Sequence, residues 1–454
     1  MRVITLVDSY KFGHYLQYPP NTTFVSSYFE ARGGKYPSTV FFGLQYFLKK
    51  FFSSRIEHSD VDYAKARVDA HMGPGLFNEA GWRYIVDKHN GYLPLRIKAV
   101  PEGTSVPVSN VLMTVENTDP NCYWLTNYVE TLLVEVWDMC TVATNSLEFK
   151  KLWKHYLEKT GDPAGLAFKV HDFGFRGVGG PEIAGQLGLA HLSTGFMGTD
   201  TFIALEYARG FYGCDMAGFS IPASEHSTIT SWGRDREVDA VHNMIRQYGN
   251  SPFYACVGDS YDVYNFCQNI VGKELKEEVL AAKGTLVVRP DSGEMLEVVP
   301  KCLRLLGDAF GYTTNSKGYK VLNPKVRMIQ GDGIGLDTAR QLLSHLDMLG
   351  WSADNLAMGS GGGLLQKFDR DTCKYAFKCS FAITDQGPVD VYKDPITDHG
   401  KRSKRGQLKL VEGESGLVTV PLSDPREDKL VVVFENGKLL VDESLETVRA
   451  RAGV

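Results

Sequence analysis

The segment Gly359-Ser360-Gly361-Gly362-Gly363-Leu364-Leu365-Gln366-Lys367 places four glycines in five residues. Glycine contributes no side-chain burial and weakens any helix or strand it interrupts, so such a run is not core material. It offers bare backbone N–H groups ahead of a stretch that reads as a helix, whose N-terminus adds unpaired donors and partial positive charge. Phosphate is the natural guest, and a plain tight turn is the alternative. The run is neither a Walker loop nor a Gly-x-Gly-x-x-Gly dinucleotide motif.

Two further turns share its setting. Leu286-Val287-Val288 reads as a buried strand ending in Arg289-Pro290-Asp291-Ser292-Gly293. Val326-Arg327-Met328-Ile329 likewise ends in Gln330-Gly331-Asp332-Gly333, and Asn355-Leu356-Ala357-Met358 leads into the glycine run. A single Asp-Gly turn usually does no more than end a strand. Three at the carboxyl ends of strands describe the rim of an α/β barrel or sheet, where ligands bind. Asp on vicinal hydroxyls beside glycine N–H groups on a phosphate would hold a sugar phosphate.

Other segments carry two readings each. In Val170-His171-Asp172-Phe173-Gly174-Phe175-Arg176-Gly177, Phe173 is an aromatic face for a flat ring with Arg176 for an anion, or a core residue beside a surface ion pair. His226, next to Glu225 at a helix start, is a proton shuttle, a phosphoryl acceptor or a satisfied structural histidine. No Gly-x-Ser-x-Gly elbow accompanies it, which disfavours acyl transfer. Lys401-Arg402-Ser403-Lys404-Arg405 is the densest basic run, either a solvated patch or a diphosphate clamp.

These groups need a large scaffold, and 454 residues supply one with two or more domains. A net charge of −5 gives no basic field for nucleic acid or membrane. The eight cysteines lack Cys-x-x-Cys or metal-ligand spacing and fit reduced thiols in a cytoplasmic protein. No apolar run is long enough to span a bilayer, and Asp8 and Lys11 come too early for a signal peptide. Residues 165 to 365 alternate apolar runs with helical segments, as in βα units. Strands are expected over Leu95–Val100, Val111–Val115, Leu430–Phe434 and Lys438–Val441, the last two joined at Glu435-Asn436-Gly437, and an apolar helix over Trp124–Trp137. The expected fold is α/β: an irregular (β/α) barrel domain over residues 151–377, and a discontinuous mixed α+β sheet domain from residues 1–150 and 378–454.

In this order the segments resemble the nicotinamide phosphoribosyltransferase family along nearly the whole chain. The matching stretches run from Asp8-Ser9-Tyr10-Lys11 and Tyr18 to Thr22 through Val115 to Pro120, His171 to Gly177 and Gly198-Thr199-Asp200-Thr201. They continue with Glu225 to Thr230, Asp259-Ser260-Tyr261-Asp262, Arg289 to Gly293, Gln330 to Gly333, Gly359 to Lys367 and Lys401 to Lys404. The resemblance implies transfer of the phosphoribosyl group of phosphoribosyl pyrophosphate to nicotinamide, with Mg²⁺ held mainly through pyrophosphate. It implies a homodimer with shared sites, in which Phe173 and the partner subunit's Tyr10 sandwich the nicotinamide ring and Asp200 accepts from its amide. Arg289 and Asp291 would serve base and ribose, with Asp259 in the same catalytic set. Gly331, Asp332, Gly361 and Gly362 would hold the ribose phosphate. Arg32, Arg176, Arg370, Lys378, Lys393 and Lys401 would surround the phosphates, and His226 would be phosphorylated when ATP is hydrolysed.

The chain departs from the family's pattern in places. A short Gly33-Gly34-Lys35 replaces a charged insertion of vertebrate members, which points to a bacterial or viral member. Ala376 and Ala255 stand where hydroxyls are expected near phosphate and base. The nearest rival is a nicotinate phosphoribosyltransferase. Two others are a secreted signalling protein and an aldolase-type barrel with Lys169 as Schiff-base lysine.

Overall fold

The computed structural model describes residues 2–397, 402–414 and 416–453. The chain forms two compact units, one of Met1–Thr144, Gly210–Gly213 and Phe368–Gly453, the other of Asn145–Arg209 and Cys214–Lys367.

The first unit is organised by an antiparallel sheet drawn from both ends of the chain. Its seven strands run in the order Gly387–Asp390, Tyr375–Thr384, Phe24–Ala31, Asn110–Asn117, Leu95–Ala99, Val431–Glu435, Lys438–Leu439. Phe24–Ala31 is central and nearly all buried. A strand buried on both faces must satisfy any polar side chain it carries, so Glu30 within it demands cationic partners. The last hairpin turns through Asn436 and Gly437 at φ 49° and 83°, the left-handed pair that a two-residue turn requires. The helix expected over Trp124–Trp137 is instead broken into Leu125–Tyr128, Glu130–Val134 and the start of Val136–Thr160. All eight cysteines are free thiols.

The second unit holds a parallel sheet in the order Gly198–Thr199, Val170–Asp172, Leu356–Ser360, Val326–Gln330, Thr285–Arg289, Phe253–Val257. Its strands are apolar runs such as buried Leu286-Val287-Val288, as expected where helices cover a parallel sheet. The helix Met295–Phe310, for example, buries Val298, Val299, Cys302, Leu303, Leu306 and Phe310 along one face.

The two edges of this sheet meet through one irregular segment. Phe219 bridges Gly198 and Ala223 bridges Ala255, both in parallel. Thr199 N–H donates to the Phe219 carbonyl at 3.0 Å and Ala255 N–H to the Pro222 carbonyl at 2.8 Å. The barrel therefore closes through a strap rather than a full strand. Ala255, Val287 and Ile329 form a plug, with Phe173, Ile221 and Ala357 packed on it. A plugged barrel leaves its carboxyl rim as the binding face.

Lys169 sits at the opposite end. It precedes the strand Val170–Asp172, and its Nζ donates to the carbonyls of Ala353 and Leu356 at 2.9 Å and of Asp354 at 3.3 Å. Burial pushes its pKa down to about 8, but its donors already cap backbone carbonyls. The Schiff-base reading is thereby overturned.

Candidate active site

The strand Val170–Asp172 orders the first half of the rim. Side chains alternate across a strand, so His171 and Phe173 share a face while Asp172 turns away into the core. Asp172 is fully buried and accepts from Gly174 N–H at 2.7 Å and Thr199 Oγ1 at 3.2 Å. Burial raises its pKa against those bonds. Phe173 lies flat on the neighbouring strand, where a Cβ built on Gly359 would fall 1.9 Å from its ring. The ring is thus half-buried, resting on the barrel plug and edged by the glycine run.

That contact changes the reading of the run itself. Gly359 makes room for Phe173, and Gly363 for the Ile334 carbonyl, 2.3 Å from where a Cβ would stand. Only Gly361 and Gly362 are left for a phosphate. A Cβ on Gly362 would meet nothing nearer than the ends of Gln366 and Lys367 at 3.6 Å. The expected helix is one turn, Gly362–Leu365, too short for much dipole.

Asp200 follows the edge strand Gly198–Thr199. Its Oδ1 accepts from His171 Nε2 at 2.8 Å and Ser220 Oγ at 2.5 Å. Burial raises its pKa, but His171, Ser220 and the charge of Arg289 outweigh that and hold the carboxyl below its usual range. Asp200 is therefore a carboxylate at neutral pH, and His171 must present a proton on Nε2.

The second half of the rim is built by the turns after Phe253–Val257 and Thr285–Arg289. Asp259, with its side chain 6% exposed, accepts from His226 Nε2 at 2.8 Å through Oδ1. Its Oδ2 takes Ser292 Oγ at 2.5 Å and Asp291 N–H at 3.2 Å. One carboxylate therefore fixes both the histidine and the Asp291 turn. Arg289 Nε lies 3.7 Å from Asp291 Oδ1. Gly331 packs between them, since its Cβ would stand 2.9 Å from Asp291 Oδ1 and 3.5 Å from both Arg289 and Phe173. Asp332 is exposed beside it. His226 opens the helix His226–Thr230, capped by Glu225, and its side chain is 46% exposed. Half-exposed and held by one nitrogen, it is no core histidine.

Arg176 is exposed on the short turn Phe175–Gly177, just past Phe173. Phe175 is exposed as well, so only one of the two phenylalanines is core-like.

The remaining candidates stand in the first unit. Arg32 pairs with Glu30 at 3.2 Å, and Lys404 also reaches Glu30. Burial lowers the pKa of Lys378; Glu130 opposes this, and the charges of Arg32, Lys393 and Arg370 add to it. Four expected phosphate ligands thus share one field, and an anion there would relieve their repulsion. Lys401 lies outside the described residues. Tyr10, on the turn Ser9–Leu16, is 61% exposed. Ala376 stands opposite Glu30 in the sheet, and Ala255 belongs to the barrel plug.

Among the described residues one three-donor cluster could take a metal, His89, Asp119 and Cys122. Its carboxylate is already filled by His89, Tyr84 and two donors of Asn121. At the barrel rim Asp291 and Asp332 are hard oxygen donors of the kind that hold Mg²⁺ together with substrate phosphates.

His171, Ser220 and Ser292 were not singled out as site residues from the sequence. His171 could have been found, because strand alternation from Phe173 puts it on the same face. Ser220 carried no signal, since it lies on the irregular strap.

A rim of this kind on a strapped parallel barrel belongs to the type II phosphoribosyltransferase fold. The structure is similar to that of nicotinate-nucleotide pyrophosphorylase from Pyrococcus furiosus, with a TM-score of 0.62 and 15% identity over 99% of this chain and 94% of that one. It also resembles human nicotinic acid phosphoribosyltransferase, with a TM-score of 0.56 and 16% identity over 98% and 92%.

The chain belongs to the nicotinate phosphoribosyltransferase (NAPRTase) family, whose profile matches residues 168–438, and residues 2–97 match that of the nicotinamide phosphoribosyltransferase N-terminal domain. It is 51% identical to a nicotinamide phosphoribosyltransferase of Xanthomonas campestris, over 98% of this chain and 97% of that one. It is 32% identical to that of Acinetobacter baylyi, over 99% and 96%.

Proposed function

We propose that this protein is a pentosyltransferase that moves the phosphoribosyl group of phosphoribosyl pyrophosphate onto nicotinamide. The products are nicotinamide mononucleotide and pyrophosphate, a step of NAD salvage. The observation that carries the choice of base is Asp200, a carboxylate with Oδ1 held by Ser220 and by His171, whose ring lies 5.1 Å from that of Phe173. A nicotinamide NH₂ donates to a carboxylate; nicotinate would set a second anion against it.

Pyrophosphate departure leaves positive charge on the anomeric carbon and negative charge on the leaving group. On the barrel rim Asp291 is suited to the first and Arg176 to the second; in the first unit Arg32, Arg370, Lys378 and Lys393 form a cationic field of their own that is suited to an anion. Mg²⁺, when bound, neutralises the diphosphate further. The attacking pyridine nitrogen has a lone pair and no proton, so positioning between aromatic rings does most of the work. The exposed Tyr10 is suited to supply the second ring to a partner subunit's Phe173, making the enzyme a homodimer. Cytoplasmic location is consistent with the free thiols and with the lack of any helix long and apolar enough to cross a membrane among the described residues.

We also assign ATP as co-substrate. Nε2 of His226 faces Asp259, leaving Nδ1 to accept the terminal phosphoryl group of ATP, with ADP released. The nicotinate reading has the name of the matched profile in its favour, and an assay decides it. Purified protein with phosphoribosyl pyrophosphate and Mg²⁺ should convert nicotinamide at least roughly a hundredfold more efficiently than nicotinate, with stimulation by ATP. Equal use of both bases would overturn the assignment. For the shared site, mixing inactive Tyr10→Ala and Phe173→Ala chains should restore partial activity, because one composite site in each heterodimer is intact. Heterodimers without recovered activity would refute it.

A further inference from the structure

We propose that His171 is a positioning residue that sets base selectivity: it pins Asp200 so that one carboxylate oxygen, Oδ2, is left to meet the base. This deepens the reading of Asp200 above and rests on it.

Two donors, His171 Nε2 and Ser220 Oγ, converge on the same oxygen, Oδ1. A carboxylate held twice on one oxygen cannot rotate about its last bond without losing a charge-assisted hydrogen bond. Its backbone is fixed too, with Asp200 N–H on the Asp172 carbonyl at 2.9 Å. The Asp200 side chain is nevertheless 49% exposed, against 14% for His171, so its free edge faces the rim.

His171 itself sits in a prepared seat. On one side a Cβ at Gly198 would lie 2.8 Å from His171 Nδ1, so the adjacent strand is bare where the imidazole rests. On the other, the imidazole is 5.1 Å from the Phe173 ring, centroid to centroid. The residue that aims Asp200 therefore touches the shelf on which the base lies. Removing it frees Asp200 to turn Oδ1 or Oδ2 toward the base and loosens the angle at which the amide is met. The chemical step, which involves neither side chain, is untouched.

His171→Phe removes the donor while keeping a flat ring. It should raise KM for nicotinamide roughly tenfold to a hundredfold, the usual effect of losing a hydrogen bond to a charged group, with kcat changed by less than about threefold. The preference for nicotinamide over nicotinate should shrink by a similar factor. His171→Gln, whose amide nitrogen reaches nearly the same point, should restore most of both. Gly198→Ala, which displaces the ring without deleting it, should reproduce the His171→Phe loss. Thermal melting of each variant checks folding, and Ser220→Ala tests the second donor should His171→Phe fail to fold. If His171→Phe and Ser220→Ala keep KM and selectivity while Asp200→Asn loses them, the positioning role is wrong and the reading of Asp200 stands. If Asp200→Asn keeps the preference as well, both fall.

Discussion

Gly359→Ala should lower kcat/KM for nicotinamide by roughly two orders of magnitude or more, while the protein stays folded and still binds phosphoribosyl pyrophosphate. The added Cβ would stand 1.9 Å from Cε2 and 2.3 Å from Cδ2 of Phe173, well inside contact distance. Neither side can yield cheaply. Leu356–Ser360 is paired on both flanks, to Val326–Gln330 and Val170–Asp172, and Phe173 rests on Ala255, Val287 and Ile329. The ring must leave its shelf, and with it goes the surface assigned to the base under the proposed function. Overpacking of this kind costs about 1–3 kcal/mol, visible as a fall in Tm of several degrees. Steady-state kinetics with melting curves gives the answer. Adding Phe173→Leu to Gly359→Ala should recover Tm but not activity, which separates loss of the shelf from loss of stability. Unchanged kcat/KM in Gly359→Ala would show that the ring position is irrelevant.

The second large effect concerns Asp259. His226→Ala should abolish ATP hydrolysis and cut synthesis efficiency severely, yet leave measurable ATP-independent transfer at high substrate. Asp259→Ala should be worse, reducing the ATP-independent rate as well by about tenfold or more. The reason is that one buried carboxylate serves two turns: Oδ1 orients His226, and Oδ2 anchors Asp291 N–H and Ser292. Losing it untethers the residue assigned to the ribose as well as the phosphoryl acceptor. Parallel assays of ATP hydrolysis and of synthesis with and without ATP distinguish the two variants. If both leave the same residual rate without ATP, Asp259 acts through His226 alone.

Much of this was legible from strand-ending turns. Arg289 to Gly293, Gln330 to Gly333 and the Gly359 run were placed on one rim because a short, largely apolar run precedes each, and the parallel barrel does gather them. Local chemistry also gave the hairpin at Asn436-Gly437. Partnerships across sequence were not legible. Nothing near Gly359 says that an aromatic ring from 186 positions earlier will lie on it, so the run was read as one phosphate cradle with no packing role for its first glycine. Nothing near Asp259 announces its double duty, which arises only when two loops converge. For Lys169, its closeness to a strand end was clear from the sequence, but not which end of the barrel that was.

The strap that closes the barrel has a further consequence. Phe219–Ser224 carries Ser220, which touches Asp200, and runs straight on to Glu225 and His226. The end that touches Asp200 and the end that carries His226 are thus two points on one short length of chain, secured by isolated bridges rather than a continuous ladder. Amides there should exchange with solvent sooner than those of Thr285–Arg289 or Val326–Gln330, which lie within the continuous sheet. Phosphorylation of His226 should slow that exchange if the histidine pulls the strap taut. The irregular join in the barrel would then be a relay between His226 and Asp200, through which a phosphorylated histidine could alter the setting of the carboxylate.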